Sequence, residues 1–574
     1  MSDDLRLSLL WIIPLGGAVV VPLIPDRFAR SIKIFAIATL GLTLLLACLA
    51  AWEFLRMDPA RAPLSARTAA NGLDALGAPE GDLVVRHSWI PDFQIEYYLG
   101  LDGINVALLV LTAFVGLLAC VASWNVDTKI KGYFSLFLLL MSSLMGVFLA
   151  LDLVLFYVFF EVMLLPMYFL IALWGGPRRE YAALKFLLYT LFGSVFVLVA
   201  ILAVYFWPGD ALGSGYAAHT FDMVAIARAA TETGYYGRWI QGVVFGLFFV
   251  GFCVKLPSFP FHTWLPDAHV EAPTPVSMVL AGVLLKIGGY GLIRMAWPLA
   301  PLGAQAWAYP AAALGVFSIL YGALAALAQT DFKKLVAYSS VSHMGYVTLG
   351  LAAMNLSGDP RVYAYGLDGA MFQMVAHGVT ATAMFFLVGV IYDRAHTRDL
   401  RELGGLASSM PRYCSMSTVI FFGAMGLPGL CGFVGEVFVV LASFSFSPLL
   451  GTLAASAVVL TAGYVLWTLR RVFFGKNDAL AGLPDLGRRE LFIAAPLVLL
   501  TVLLGVYPRL VLDGMSPSVE AVARGVVQAR GQEKGVRVVE AIRDLKSTQP
   551  YTAQPMSHAA NLVNASSLPA GGHQ

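Results

Sequence analysis

The sequence predicts an all-α polytopic membrane protein of about fourteen spans, and three observations predict it. Of 574 residues, 59% are hydrophobic and 13% charged, where soluble domains carry about 25% charged residues. Apolar runs of about 20 residues, the length that crosses a bilayer, recur along most of the chain. Lys and Arg gather in alternate links between those runs.

In chain order the runs fall at 7–25, 31–53, 103–123, 133–151, 153–174, 184–207, 240–262, 275–297, 305–328, 335–354, 366–392, 414–443, 446–470 and 490–512. Prolines and glycines interrupt 240–262 and 414–443. The opening MSDDLRLSLL has neither the basic start nor the small-residue cleavage site of a signal peptide, so the first run is expected to remain as a span. Two long polar links, about 55–100 and 208–238, and a polar tail, 513–574 with a weakly helical patch at 518–546, are expected outside the membrane. Numbering links by the span they follow, odd links carry nineteen Lys and Arg and even links eight, Arg294 among the eight. Basic residues stay on the cytoplasmic side. The odd links should therefore face the cytoplasm, or the matrix in an organelle, with both termini on the other side.

Two interrupted segments stand out: "GFCVKLPSFPFHTWLPDAH", Gly251 to His269, and "GAMGLPGLCGFVGE", Gly423 to Glu436. Each carries an ionisable residue beside its break. Paired broken helices in two halves of a transporter point to internal repeats and an ion site; two unrelated kinks are the alternative. With spans 4–8 and 9–13 as inverted five-helix repeats, the breaks fall in the same place in each. That gives an N-terminal three-span region (1–125), repeats at 130–300 and 301–475, a last span at 485–512, and the tail.

Four charges lie where a membrane helix should avoid them: Glu161, Lys255, Lys286 and Glu436. Insertion scales place a charge at a span centre at about 2.5–3.5 kcal/mol, so four unpaired ones would cost on the order of 10 kcal/mol. They must be paired, hydrated or partly neutral. Glu161 and Lys255 are complementary and would offset one another as a pair. Burial favours a neutral lysine and a nearby carboxylate a charged one, so a buried lysine whose carboxylate moves away releases its proton. Arginine stays charged and cannot do this, and none lies at a span centre. His343 and His377 are mid-segment and titrate in the right range to relay protons. The plainer alternatives are buried charges that fix helix register and histidines hydrogen-bonded to a neighbouring helix. Lys185, near a span end, is expected to snorkel to the surface.

Other chemistry is poorly represented. The five cysteines make no C-x-x-C, which argues against an iron–sulfur, zinc or disulfide framework. Asp267, His269 and Glu271 in "DAHVEAP" lack a characteristic ligand spacing, and capping or loop hydrogen bonds explain them more simply than a metal. Neither a P-loop nor a dinucleotide-binding fingerprint is present, so the chain offers no visible means of using ATP or NADH itself.

The stretch "KLPSFPFHTWLPDAHVEAPTPVSMVLAGVLLKIGGYGLIR", with "QTDFKKLVAYSSVSHMGYV" and "GLPGLCGFVGE", resembles the core signature of the antiporter-like membrane subunits of respiratory complex I. The resemblance runs from about residue 90 to 510. The same family includes subunits of Mrp-type cation/proton antiporters and membrane-bound hydrogenases. Glu436 at the second break, where the L and N branches are expected to carry lysine, makes the chain most similar to the M branch, subunit 4 in mitochondria. A tail too short for the lateral helix and final anchor of the L branch agrees. It also departs from a typical M subunit.

The resemblance implies a proton-translocating subunit of an NADH:quinone oxidoreductase in the bacterial cytoplasmic membrane. Glu161 and Lys255 would form a gating ion pair, Lys286 the central lysine of a hydrated axis, Glu436 its terminal acid, and His343 and His377 the bridge between half-channels. It implies no cofactor in this chain; NADH, FMN, iron–sulfur clusters and quinone would belong to partner subunits. Those partners would include L-type and N-type membrane subunits. No nucleic acid partner is implied. The alternatives are an antiporter or hydrogenase subunit of the same family, a stand-alone transporter for a small solute, with the lysines favouring an anion, and a scaffold with inert buried charges.

Overall fold

The computed structural model of the chain describes residues 3–56, 83–206, 219–232, 238–356 and 360–531. Helices that are apolar on every side belong inside a bundle. Two such helices, Thr274–Leu299 and Tyr365–Ala395, form the centre, with an 18-residue stretch of each entirely buried. Leu5–Leu23, Asp26–Arg56 and Arg488–Val506 lie at the periphery and expose apolar side chains such as Leu45, Leu49 and Leu499.

Twelve helices among the described residues are long and apolar enough to cross a membrane. Two of the runs read from the sequence stand outside that set. One forms the helix Phe332–Leu356, whose apolar content is diluted by Ser339, Ser340, Ser342 and His343. The other is broken into Pro411–Ala424 and Cys431–Phe446. The expected span 240–262 ends early, at Lys255. Pro257 and Pro260 supply no backbone donor and disfavour helix before them. A 3-10 turn, Phe261–Thr263, and a short helix, Trp264–Glu271, follow.

The polar links hold structure that a purely helical reading lacks. Strands Val84–Ile90 and Ile95–Gly100 form an antiparallel hairpin. Helix Met223–Glu232 begins at Asp222, whose side chain accepts from the backbone N–H of Val224 (2.8 Å) and Ala225 (3.0 Å). Arg86 on the first strand pairs with both Asp222 and Glu96, at 2.9 and 2.7 Å, and so ties the hairpin to that helix. The last span stops at Val506, ahead of Pro508, and a second helix, Arg509–Gly531, follows. Its Met515, Val519, Val522 and Val526 recur on one face and are buried, so this part of the expected tail is packed helix; residues 532–574 lie outside the described set. The Ser518 hydroxyl accepts from Gly103 N–H at 3.0 Å, and Ser516 donates to Asp368 at 3.0 Å.

Three basic residues assigned to links are buried instead. Lys33 pairs with Asp127 at 2.7 Å, Lys333 donates to the Ala272 carbonyl at 2.6 Å, and Arg294 pairs with Asp102. Each sits within a helix; Lys33 reaches the exposed Asp127 of the link that follows the third span, whereas Lys333 and Arg294 turn inward to partners that hydropathy does not reveal.

Small residues let membrane helices approach closely. Pro301–Leu327 and Phe332–Leu356 touch through Gly315, Gly322 and Gly345; a Cβ added at Gly322 would lie 2.5 Å from the Ser342 backbone nitrogen. Overpacking of this kind costs about 1–3 kcal/mol. Gly322→Leu is therefore expected to lower the thermal unfolding temperature of the purified assembly, and Gly242→Leu, where an added Cβ meets open space, to leave it unchanged.

Candidate functional site

Lys286 lies midway along the central helix Thr274–Leu299, between two π-helical segments, Leu280–Leu284 and Leu292–Ala296. A π segment displaces part of the helical ladder and often marks a functional site. The Lys286 ammonium donates to the Ala281 carbonyl at 2.5 Å and lies 2.7 Å from His377 Nδ1 on the other central helix. The His377 ring sits 5.5 Å, centroid to centroid, from the His343 ring. His343 Nδ1 is 3.1 Å from Glu436 Oε1, which also accepts from Gln373 at 3.5 Å. Lys286, His377, His343 and Glu436 thus form one buried row across four helical elements.

The second break shapes the end of that row. Gly426 has φ +79° and Gly429 φ +89°, a conformation that glycine adopts without steric cost. An added Cβ at Gly426 would lie 2.6 Å from Glu436 Oε2, so the turn that breaks the helix also makes room for the carboxylate. Glu436 enters from the first turns of Cys431–Phe446.

The first break is built by redirecting backbone hydrogen bonds. Ser258 N–H reaches back to the Cys253 carbonyl at 3.0 Å, and the Val254 carbonyl accepts from the Trp264 indole at 2.9 Å instead. Lys255 is the last residue of its helix and fully buried. The expected ion pair with Glu161 is not formed. The Lys255 ammonium has no hydrogen-bond partner and lies 4.3 Å from the centre of the Phe160 ring. Glu161 is adjacent in sequence to Phe160, and its carboxylate is the charge that acts on Lys255 through space. Its helix ends one residue later at Val162 and resumes at Leu164, near Pro166, which lacks an N–H to continue the ladder. Glu161 is partly exposed between Val158 and Val162, both exposed, near the edge of the bundle, while its Oε1 is buried without a hydrogen-bond partner.

The residues of "DAHVEAP" diverge. Asp267 pairs with Lys185 at 2.7 Å, both side chains being partly exposed. Glu271 accepts from Arg178 N–H at 2.9 Å. His269 is buried and stacks on Phe385 at 4.0 Å. No group of three metal-ligating side chains occurs among the described residues.

Several buried polar atoms in this region have no partner in the chain: Lys255 Nζ, both ring nitrogens of His262 and His269, Nε2 of His343 and His377, and Gln373 Oε1. Such atoms call for water or a transferable proton. Lys333, His262, His269 and Gln373 were not placed in the site from sequence. Gln373 had a signal, since "MFQMVAH" sets it one turn before His377.

A helical membrane bundle with titratable groups joined through its centre defines an antiporter-like membrane protein. The family described as NADH:quinone oxidoreductase/Mrp antiporter, transmembrane, matches residues 150–461, more than half of the chain, and the chain belongs to that family. It is 45% identical over 451 residues to NADH-quinone oxidoreductase subunit M of Rhodobacter capsulatus, covering 77% of this chain and 84% of that one. Over 508 residues it is 39% identical to NAD(P)H-quinone oxidoreductase chain 4 1 of Picosynechococcus, covering 87% and 88%. Among solved structures, a chain of respiratory complex I from Thermus thermophilus superposes with a TM-score of 0.76 at 29% identity, covering 91% of this chain and 99% of that one. A chain of the Mrp complex from Dietzia shares the fold, with a TM-score of 0.71 at 21% identity over 94% of this chain and all of that one.

Glu436 depends on its two partners, and an unsatisfied buried group costs about 1–3 kcal/mol. His343→Ala is expected to destabilise the assembly by that order, and Glu436→Gln by less, because the amide still accepts. Thermal unfolding of the two purified variants makes the comparison.

Proposed function

We propose that this chain is the M-type proton-translocating membrane subunit of an NADH:quinone oxidoreductase. The observation that carries the reading is the buried row Lys286–His377–His343–Glu436, with 2.7 and 3.1 Å contacts at its two ends. A row of alternating donors and acceptors can pass a proton by successive transfers, each group taking one as the next gives one up. Lys286 takes the central role and Glu436 the terminal one. His377 and His343 bridge them. Glu161 and Lys255 act as a gate. Their separation fits an open arrangement, in which Lys255 has lost its carboxylate partner and gives its proton inward.

The 45% identical relative named subunit M favours this assembly over an antiporter, whose likeness rests on fold. Redox chemistry in this reading belongs to partner subunits, with L-type and N-type membrane subunits among the neighbours. The alternate-link charge bias supports fourteen spans in two inverted repeats, with both termini on the periplasmic face of a bacterial cytoplasmic membrane. Glu161, near the bundle edge, suits a contact with an adjoining subunit.

Lys286→Met tests the reading. Loss of a positioned proton carrier slows coupled turnover by on the order of 100-fold, so the assembled variant is expected to oxidise NADH with quinone slowly and to acidify vesicles little. Normal acidification by a fully assembled Lys286→Met complex would overturn it, as would purification of the native complex without an NADH-oxidising subunit.

A further inference from the structure

Lys286, Tyr290 and Arg294 lie one helical turn apart, on one stripe of the central helix. The rise per residue puts Tyr290 about 6 Å and Arg294 about 12 Å from Lys286 along the axis, toward the face that carries the hairpin. There Arg294 meets Asp102, two residues beyond the second strand. Its Nη2 donates to Oδ1 at 2.6 Å, its Nη1 to Oδ2 at 2.7 Å, and its Nε to the Tyr290 hydroxyl at 3.2 Å. Tyr290 donates onward to the Phe148 carbonyl at 3.0 Å. Asp102 Oδ1 also accepts from Ile104 and Asn105 N–H, and the Asn105 amide donates to the Gly100 and Phe148 carbonyls. All four side chains are buried.

This cluster contrasts with the row leading sideways from Lys286. His377 Nε2, His343 Nε2 and Gln373 Oε1 are buried without partners, whereas no buried polar atom of Asp102, Asn105, Tyr290 or Arg294 is. A guanidinium stays protonated in proteins, so Arg294 cannot pass a proton on, and its fork occupies both oxygens of Asp102. A satisfied cluster of this kind offers a water no unpaired polar atom to bind.

We propose that the Asp102–Arg294 pair, braced by Tyr290, seals the hairpin side of the Lys286 compartment, so that a proton on Lys286 leaves sideways to His377 and not straight along its own helix. Arg294 is then a positioning residue that acts by denying Asp102 to protons. Removing the arginine alone turns Asp102 into a proton acceptor directly in line with Lys286; removing both leaves no carboxylate there, with Tyr290 and Asn105 still bonded to backbone carbonyls.

Proton permeability of sealed vesicles containing the whole assembled complex tests this, with collapse of an imposed pH difference read per complex and no NADH added. Arg294→Met is expected to leak roughly tenfold faster than the unaltered complex, the factor produced by about 1.4 kcal/mol off a barrier. Arg294→Met with Asp102→Leu is expected to be tight again, and adding Lys286→Met to the leaky variant to close it. Arg294→Gln retains a hydrogen bond to Asp102 and replaces Arg294→Met should the latter not assemble; the same leak is expected. A tight single variant, or a double variant as leaky as the single, overturns the seal, whereas a merely structural pair would lower the yield of complex without this pattern of leak and rescue. The proposal rests on the proton-carrying role of Lys286. A complex that pumps normally as Lys286→Met fails that role, whereas one that needs Lys286 yet stays tight without Arg294 fails the seal alone.

Discussion

The contact between the Lys286 ammonium and His377 Nδ1, 2.7 Å long and closed to solvent, is the constraint on which the rest of the structure depends. It joins the two central helices within their buried stretches. A cationic donor at the bilayer centre is expensive unless it is paired or can give up its charge. His377 offers a ring nitrogen, which does not fix the charge in place as a carboxylate would. The π segments on either side of Lys286 and the glycines around it let the two helices meet at the distance this contact needs. Gly289 packs on Met374 and Gly282 on Thr382.

From that junction the polar groups divide into two kinds. Along the row to Glu436, and around His262, His269 and Lys255, buried polar atoms lack partners. At Asp102, Tyr290 and Arg294 they are fully engaged. The Asp102–Arg294 cluster is thus satisfied where the row to Glu436 is not, and Trp297 Nε1, Thr348 Oγ1 and Ser417 Oγ are further buried polar atoms without partners. The two broken helices belong to the first kind. Each places an ionisable side chain where the backbone has left the regular ladder, an arrangement that membrane proteins tolerate only when it is buried in protein or lines a cavity.

The helical framework was legible because hydrophobic run length carries it. The positions of Glu161, Lys255, Lys286, Glu436, His343 and His377 were legible because charge and imidazole are conspicuous in apolar runs. What escaped had a common physical cause: hydropathy says how apolar a segment is and not which way a side chain turns. Lys333 and Arg294 sit near helix ends and read as link residues, yet each faces inward to an oxygen. The hairpin escaped because it is short and polar on one face, and the helix Arg509–Gly531 showed only in part, as the weakly helical patch 518–546, because it has too few apolar residues to register as a run. The separation of Lys255 from Glu161 depends on rotamers and helix offsets that complementary charge alone does not determine. The first break followed from its prolines, but the exchange that sends the Val254 carbonyl to the Trp264 indole required the folded chain.

The central claim is that Glu436 takes up and releases a proton through His343 during turnover. Infrared difference spectroscopy of the assembled complex, recorded as NADH is added, measures this at the carboxyl group itself. A protonated-carboxyl band is expected to appear during turnover, to disappear in Glu436→Gln and to shift in His343→Gln. A turnover spectrum in which no carboxyl band responds to Glu436→Gln would contradict it.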